Sequence, residues 1–267
     1  MITGSTRLYA IVGDPIGHVR TPMVFNEYFQ AKGIDAICIA IHIAHDDLPR
    51  GWGGLRSILN LDGFIVTAPY KAEAARLCDT LAGDGAYTKV VNAVRRENDG
   101  RFVGTLFDGR GFVSGLVSQG YEIKDRRFYV AGAGGAGTAL AYALADSGVA
   151  ALTIHNRTRS KAENLVKGVA QAFPGVEVRL GTRNAAGHDV AVNATSLGLK
   201  PDDPHSFALD TADTSALIAE VVMKPQMTPL LIAAKARGHR THFGTFMLDG
   251  QLALMMDFFG LGKGPLD

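Results

Sequence analysis

The chain has 267 residues, 47% of them apolar and 20% charged, with a formal net charge of +1, the profile of a folded polypeptide of one large domain or two ordinary ones. This charge balance excludes a concentrated basic nucleic-acid surface, and apolar runs broken well short of the ~18 residues of a membrane span exclude a membrane protein. The start, Met1-Ile2-Thr3-Gly4-Ser5-Thr6-Arg7, lacks the basic segment and long apolar core of a secretion signal.

Residues 8–13 read as a short apolar strand closed by the turn Asp14-Pro15. Thr21-Pro22 then opens a helix whose apolar face is Met23, Phe25 and Phe29. Strands follow at 36–41 and 63–67 around a helix at 48–59. The second of these strands runs into Ala68-Pro69-Tyr70-Lys71, and a helix is expected over 72–81. A strand pair at 90–95 and 101–106 ends this half. Asp108-Gly109-Arg110-Gly111 marks a break before a helix at 112–119. Strand 127–131, helix 136–147, strand 151–155, helix 160–173 and strand 176–180 form a βαβαβ half, which strands at 190–193 and 217–222 continue. Thr228-Pro229-Leu230 opens a further helix, and 245–259 forms the last one. The alternation of strands and helices predicts parallel α/β architecture. There is no internal repeat. Cys38 and Cys78 fall within apolar or helical patterns and read as buried thiols in a reducing cytoplasm rather than as a disulfide.

The glycine-rich turn Gly132-Ala133-Gly134-Gly135-Ala136-Gly137 lies between an apolar strand and an Ala-rich helix. That context brings backbone N–H groups against a dinucleotide pyrophosphate, whereas the spacing alone would fit any tight βα turn. About 20 residues on, where the ribose is read, stands His155-Asn156-Arg157-Thr158-Arg159 with Lys161. No acid is present there to accept from a ribose 2′-OH. Arg157, Arg159 and Lys161 suit a 2′-phosphate, which leans toward NADP and leaves NAD open. The turn's mid-chain place means that a separate unit, expected to handle a small substrate, precedes it. His155, His239 and His242 lack metal-ligand spacing, so no metal is expected.

Segments in matching order resemble the shikimate dehydrogenase family. They are Gly13-Asp14-Pro15-Ile16-Gly17-His18-Val19-Arg20-Thr21-Pro22, Val66-Thr67-Ala68-Pro69-Tyr70-Lys71, Val91-Asn92-Ala93-Val94 and Asp108-Gly109. The glycine turn, Asn156-Arg157-Thr158, Asn193-Ala194-Thr195-Ser196 and Met247-Leu248-Asp249-Gly250-Gln251 continue the match through the second half. The resemblance implies an α/β protein of two domains. Residues 1–107, with a C-terminal helix within 241–267 returning to them, would form the substrate domain. Residues 108–240 would form a Rossmann-type NAD(P)-binding domain, with the active site in the cleft between. It implies Lys71 as acid/base and Asp108 as its partner, with Thr67, Asn92 and Gln251 on neighbouring hydroxyls and Thr21, Val19 and Met223 at further substrate positions. Its cofactor set is Gly132, Gly134, Gly135, Ala136, Gly137, Asn156, Arg157, Thr158, Lys161, Asn193, Thr195 and Gly244. Taken singly, these residues have plainer readings: Lys71 as a solvated helix start, Asn92 and Asp108 as turn residues, Gln251 as exposed. Their order beside a cofactor loop favours the functional one. His18 reads as a structural hydrogen-bonder in its turn.

The departures fall on the substrate side. The family's Ser-x-Ser is Val19 and Thr21 here, and an Asn two before the Thr of the Lys motif is Ile65. Its Asn-Thr before the Asp is Leu106-Phe107, and the Tyr of its Tyr-x-Pro segment is Met223. Lys71, Asn92, Asp108 and Gln251 remain. The expectation is reversible NAD(P)-dependent oxidation of a ring hydroxyl in shikimate or a relative such as quinate or an aminated analogue. Shikimate itself should be a weak substrate, because its carboxylate end has lost contacts; Arg20 either replaces one or faces solvent. The alternatives are a dehydrogenase of a non-carboxylated polyol and a non-catalytic nucleotide-binding regulator. Family members carry a further C-terminal helix that this chain is expected to lack, exposing apolar surface for another subunit to cover as a homo-oligomer of non-standard geometry.

Overall fold

A computed structural model describes residues 1–17 and 19–262. The chain divides into two units, Met1–Phe107 with the chain from Leu254 onward, and Asp108–Ala253. The first contains β1 (Arg7–Gly13), α1 (Thr21–Lys32), β2 (Ala36–His42), α2 (Leu48–Ser57), β3 (Leu61–Val66), α3 (Lys71–Leu77), β4 (Thr80–Leu81), α4 (Asp84–Thr88), β5 (Ala93–Arg96) and β6 (Phe102–Thr105). The second contains α5 (Asp108–Ser118), β7 (Arg127–Ala131), α6 (Gly135–Asp146), β8 (Ala151–His155), α7 (Arg159–Ala172), β9 (Glu177–Leu180), β10 (Val190–Asn193), β11 (Leu217–Glu220), α8 (Pro229–Ala236) and β12 (Thr241–His242). The last helix, α9 (Thr245–Phe258), begins in the second unit and ends in the first.

The first sheet has the order β2-β1-β3-β5-β6-β4 and is mixed, not wholly parallel. β1 pairs in parallel with β2 and β3, but β5 is antiparallel to both β3 and β6. The cause is the short link between β5 and β6. Gly100 donates to Glu97 O in a tight turn at φ +85°, and so few residues cannot make the crossover that parallel pairing needs. The helix expected over 72–81 stops at Leu77. Asp79 Oδ2 accepts from Phe102 N at 2.7 Å and Thr80–Leu81 pairs with β6, so sheet pairing overrides the helical pattern. Trp52, Phe64 and Phe102 meet edge to face in the core of this unit, with centroids 5.1 to 5.7 Å apart.

Arg96 closes that core from beside β3. Its Nε donates to Leu61 O at 2.8 Å and its Nη2 to Leu55, Arg56 and Ile58 O at 3.0 to 3.1 Å, which gathers the carbonyls at the end of α2, two of them also bonded by Ile58 N and Leu61 N, on one guanidinium. We expect Arg96→Ala to cost about 2–4 kcal/mol, because several hydrogen bonds to a charged group are lost together. Heat denaturation should show it as a lower Tm, and Arg96→Lys should recover little, since an ammonium lacks the fork.

The second sheet, β12-β11-β10-β7-β8-β9, is parallel throughout. Its central strands are apolar on both faces. Phe128, Val130, Leu152 and Ile154 enter one core while Tyr129, Ala131, Ala191 and Ile218 enter another, as alternation along a doubly covered strand requires. The chain leaves this unit after Ala253, later than the boundary at 240 read from sequence. Thr241–His242 pairs with β11 and Met247 packs in the first of those cores, which hold the segment here.

Candidate active site

In the first unit the carboxyl ends of β1 and β3 lie side by side, and the start of antiparallel β5 joins them at the same edge. Thr67 N donates to Val12 O at 3.0 Å, and Val66 N donates to Asn92 O at 2.9 Å. A Cβ on Gly13 would stand 2.5 Å from Thr67 Cγ2, so a side chain here would push the Thr67 methyl aside. Asn92 is 3% exposed, and its Oδ1 accepts from Phe107 N at 3.0 Å. Lys71 is half-buried at the first position of α3, and its carbonyl accepts from Val91 N at 3.0 Å. Thr67, Lys71 and Asn92 thus share one edge. Thr21 heads α1 with Pro22 behind it, and Val19 N donates to Ile16 O; both Val19 and Thr21 are half-buried. Arg20, at the N-cap position, is exposed and makes no side-chain cap bond. His18 lies outside the described residues. Leu106 and Phe107 are buried, the Phe107 ring 5.6 Å from that of Phe258, so these two replacements fill the interior of the first unit.

In the second unit the strand order reverses between β7 and β10, and the crevice outside the carboxyl ends at such a point is where α/β sheets take ligands. The glycine turn follows β7 and the Asn193–Ser196 loop follows β10. Gly132 sits at φ +126°, and a Cβ there would stand 2.5 Å from Ala194 O; a Cβ on Gly137 would overlap the Gly132 carbonyl. Gly134 and Gly135 are exposed, with nothing within 4 Å of an added Cβ. The turn is therefore tight where the chain meets itself and open where α6 begins. Ala136 is half-buried in the first turn of α6. Backbone N–H groups at an open helix start suit an anion, and these residues fit a dinucleotide pyrophosphate.

Asn156 Oδ1 accepts from Ala133 N at 3.1 Å, and its Nδ2 donates to Thr158 O at 2.9 Å, which ties the end of β8 to the turn. Arg157, Thr158 and Lys161 are exposed beyond it. Arg159 donates to Glu163 at 2.8 Å, four residues along α7, so it is engaged within its own helix rather than standing with Arg157 and Lys161. Gln251 Nε2 donates to Asp108 Oδ1 at 3.2 Å and is buried, against the plainer expectation of an exposed helical glutamine. A side chain on Gly111 would collide with Gln251 Cγ and Met247 O, so α5 and α9 approach closely where this pair forms. Gly244 packs on the Val221–Val222 backbone, leaving no room for a Cβ, and Met223 is exposed after β11.

One group escaped the sequence reading. Glu220 closes β11 with 0% exposure. Its carboxyl accepts from Asn193 Nδ2 at 2.8 and 3.0 Å, Thr228 Oγ1 at 3.0 Å, Val221 N at 3.0 Å and Val222 N at 3.1 Å. Burial pushes it up to about 7 against the opposite pull of these bonds. The signal was an acid ending the apolar run Leu217-Ile218-Ala219.

Burial raises both thiols, Cys38 and Cys78, to about 12, and neither forms a disulfide. Among the described residues, no group of three or more His, Cys, Asp or Glu is placed to hold a metal. No described helix is long and apolar enough to cross a membrane.

A doubly wound parallel sheet with this glycine turn at its switch point defines a dinucleotide-binding domain. Models of the shikimate dehydrogenase substrate-binding domain and of shikimate/quinate 5-dehydrogenase match residues 11–94 and 116–198. The chain belongs to the shikimate dehydrogenase family. The shikimate dehydrogenase (NADP(+)) of Rubrobacter xylanophilus is 35% identical over 92% of this chain and 88% of its own length. The crystal structure of shikimate 5-dehydrogenase from Listeria monocytogenes, in complex with shikimate and NAD, superposes with a TM-score of 0.90 at 28% identity, covering 99% of this chain and 95% of that one. The ligand-free 5-ketofructose reductase of Gluconobacter sp. strain CHM43 superposes at 0.86 and 27% identity, covering 98% and 95%.

Proposed function

We propose that the enzyme transfers a hydride between NAD(P) and a ring hydroxyl of a shikimate-like cyclitol acid, and that shikimate itself is a weak substrate. What carries this reading is the selective pattern of replacement. Thr67, Lys71 and Asn92 stand together at one sheet edge, and Asp108 is held by Gln251, while Val19 and Met223 are apolar where the family has polar contacts to the ring carboxylate. A site losing function by drift would lose the lysine and aspartate as readily as the rest.

In this reading Lys71 Nζ takes the proton of the reacting hydroxyl and returns it in the reverse direction. Asp108 is the other polar group of the reaction, oriented by its bond from Gln251. The bound dinucleotide supplies the hydride acceptor. Thr67 and Asn92 hold neighbouring hydroxyls, and a substrate lacking one forfeits that bond. The glycine turn and the Asn193–Thr195 loop hold the dinucleotide, and Arg157 with Lys161 favours a 2′-phosphate.

The two lost carboxylate contacts cost about 1.5–3 kcal/mol each, about ten- to hundred-fold in efficiency per contact. The test is a screen of NAD and NADP against shikimate, quinate and aminated analogues, following nicotinamide absorbance. Ordinary high efficiency on shikimate would defeat the proposal. Restoring one hydroxyl with Val19→Ser should raise kcat/KM for shikimate about tenfold. A second reading, reduction of a non-carboxylated sugar ketone or, in the reverse direction, oxidation of a polyol, is favoured by the same apolar positions and by the likeness to 5-ketofructose reductase. Under that reading Val19→Ser brings no gain on shikimate, and uncharged polyols added to the screen turn over.

A further inference from the structure

Glu220 does not belong to any motif of the dinucleotide site, yet it is bonded to two of the loops that form the crevice rim. From β10 it takes the Asn193 amide, whose Oδ1 in turn holds Thr195 N at 3.1 Å and Thr195 Oγ1 at 2.7 Å. The same amide also donates to Leu197 O at 2.7 Å. From the chain after β11 it takes Val221 N, Val222 N and the Thr228 hydroxyl, while Thr228 Oγ1 also accepts from Leu231 N as the N-cap of α8. The Asn193 loop is what Gly132 packs against, through Ala194 O.

We propose that Glu220 is a positioning residue whose carboxylate fastens the Asn193–Leu197 loop and the Val221–Thr228 segment into the shape that receives the dinucleotide. This rests on the reading above that the second unit holds that ligand. The argument is one of donors and acceptors. Every group that meets the carboxyl is a donor, so the ionised form satisfies all of them. A protonated acid presents its own O–H toward Asn193 Nδ2 or Thr228 Oγ1. The amide nitrogen has no lone pair to accept it, and the hydroxyl, which also accepts from Leu231 N, can take it on its second lone pair only by turning its own O–H away from the carboxyl. Either way one of the bonds that fasten a loop to Glu220 is lost or reversed.

The groups facing Glu220 are uncharged: Asn193 from β10, Thr228 from the start of α8, and the main chain of Val221 and Val222. The nearby titratable side chains are turned to other partners. His242 on β12 lies among Phe112, Tyr121 and Phe246, and Asp203 accepts from Gly198 N and Lys200 N; Lys224 is exposed. Burial holds Glu220 at about 7, so its charge changes across the neutral range. The signs separate two effects. Because the folded-state value lies above that of the unfolded chain, the contribution of Glu220 to stability falls as pH rises from about 4.5 to about 7. Dinucleotide affinity should rise over the upper part of the same window. A residue with a merely structural role would show the first trend without the second.

Calorimetric titration of the full chain with NADP⁺ and with NAD⁺ between pH 6 and 8.5 tests this, the second nucleotide removing any titration of the 2′-phosphate. In the wild type, affinity for both should weaken about five- to tenfold on going from pH 8.5 to 6. Glu220→Gln, which places a donor where the acid proton would be, should bind about tenfold more weakly at the upper pH and show a flat profile. Thr228→Val keeps the carboxylate but removes a donor to it, so its profile should persist with the midpoint moved upward. Wild-type-like affinity and pH dependence in both variants would overturn the inference, as would a change confined to Tm. Failure of the wild type to bind either nucleotide would overturn both this inference and the reading beneath it.

Discussion

Lys71→Ala should lower kcat by about 10²–10⁴-fold while leaving nucleotide affinity within twofold of wild type. The substitution removes the side-chain ammonium together with the interactions it makes and keeps the backbone, whose carbonyl accepts from Val91 N; alanine preserves that bond and suits the first turn of α3. The side chain is half-buried, not part of the core, so the Tm should move by only a few degrees. Steady-state rates, a nucleotide titration and a melting curve on the same sample separate the outcomes. A variant keeping a tenth or more of wild-type kcat would remove Lys71 from the chemistry. A loss of nucleotide affinity equal to the loss in rate would mean that the lysine acts through the fold. Asp108→Asn should behave in the same direction, and it also weakens the acceptor that Gln251 Nε2 uses.

The parts of this molecule legible in the sequence are those that local stereochemistry decides. Gly132 must reach φ +126° and Gly137 must pass the carbonyl of Gly132, so the turn is spelled in glycine. The strands 127–131, 151–155 and 190–193 are buried on both faces and therefore appear as predominantly apolar runs, broken inside only at Thr153, whose ends are easy to place. What was not legible depends on partners far away in the chain. Thr80–Leu81 continues a helical pattern and becomes a strand only because β6 lies beside it. The antiparallel turn of β5 and β6 needed the brevity of the 97–101 link to be weighed against the α/β alternation around it. Motif order places Gln251 at a substrate position, but its bond to Asp108, 143 positions away in sequence, cannot be read from either segment alone. Glu220 was invisible for the same reason: a lone acid at a strand end has no meaning until Asn193 and Thr228 are seen to donate to it.

The glycine turn permits a sharper experiment than its removal, because its glycines are required for two different reasons. At Gly137 a methyl group would run into the Gly132 carbonyl, which is backbone and cannot swing aside. Gly137→Ala must therefore displace α6 or open the turn. We expect about 2–4 kcal/mol of lost stability, a lower Tm and the loss of measurable nucleotide binding. At Gly134, with φ −88°, and at Gly135, the first residue of α6, the same methyl group meets nothing within 4 Å. Gly135→Ala should if anything raise the Tm, since alanine is favoured over glycine in a helix by about 1 kcal/mol. If the dinucleotide phosphates lie against this helix start, the methyl group occupies space they need, and affinity should fall tenfold or more in a protein that is no less stable. Opposite signs on stability with the same sign on binding would place the ligand at the open side of the turn. Unchanged affinity in Gly134→Ala and Gly135→Ala would place it elsewhere, and the openness of these two positions would then need another explanation.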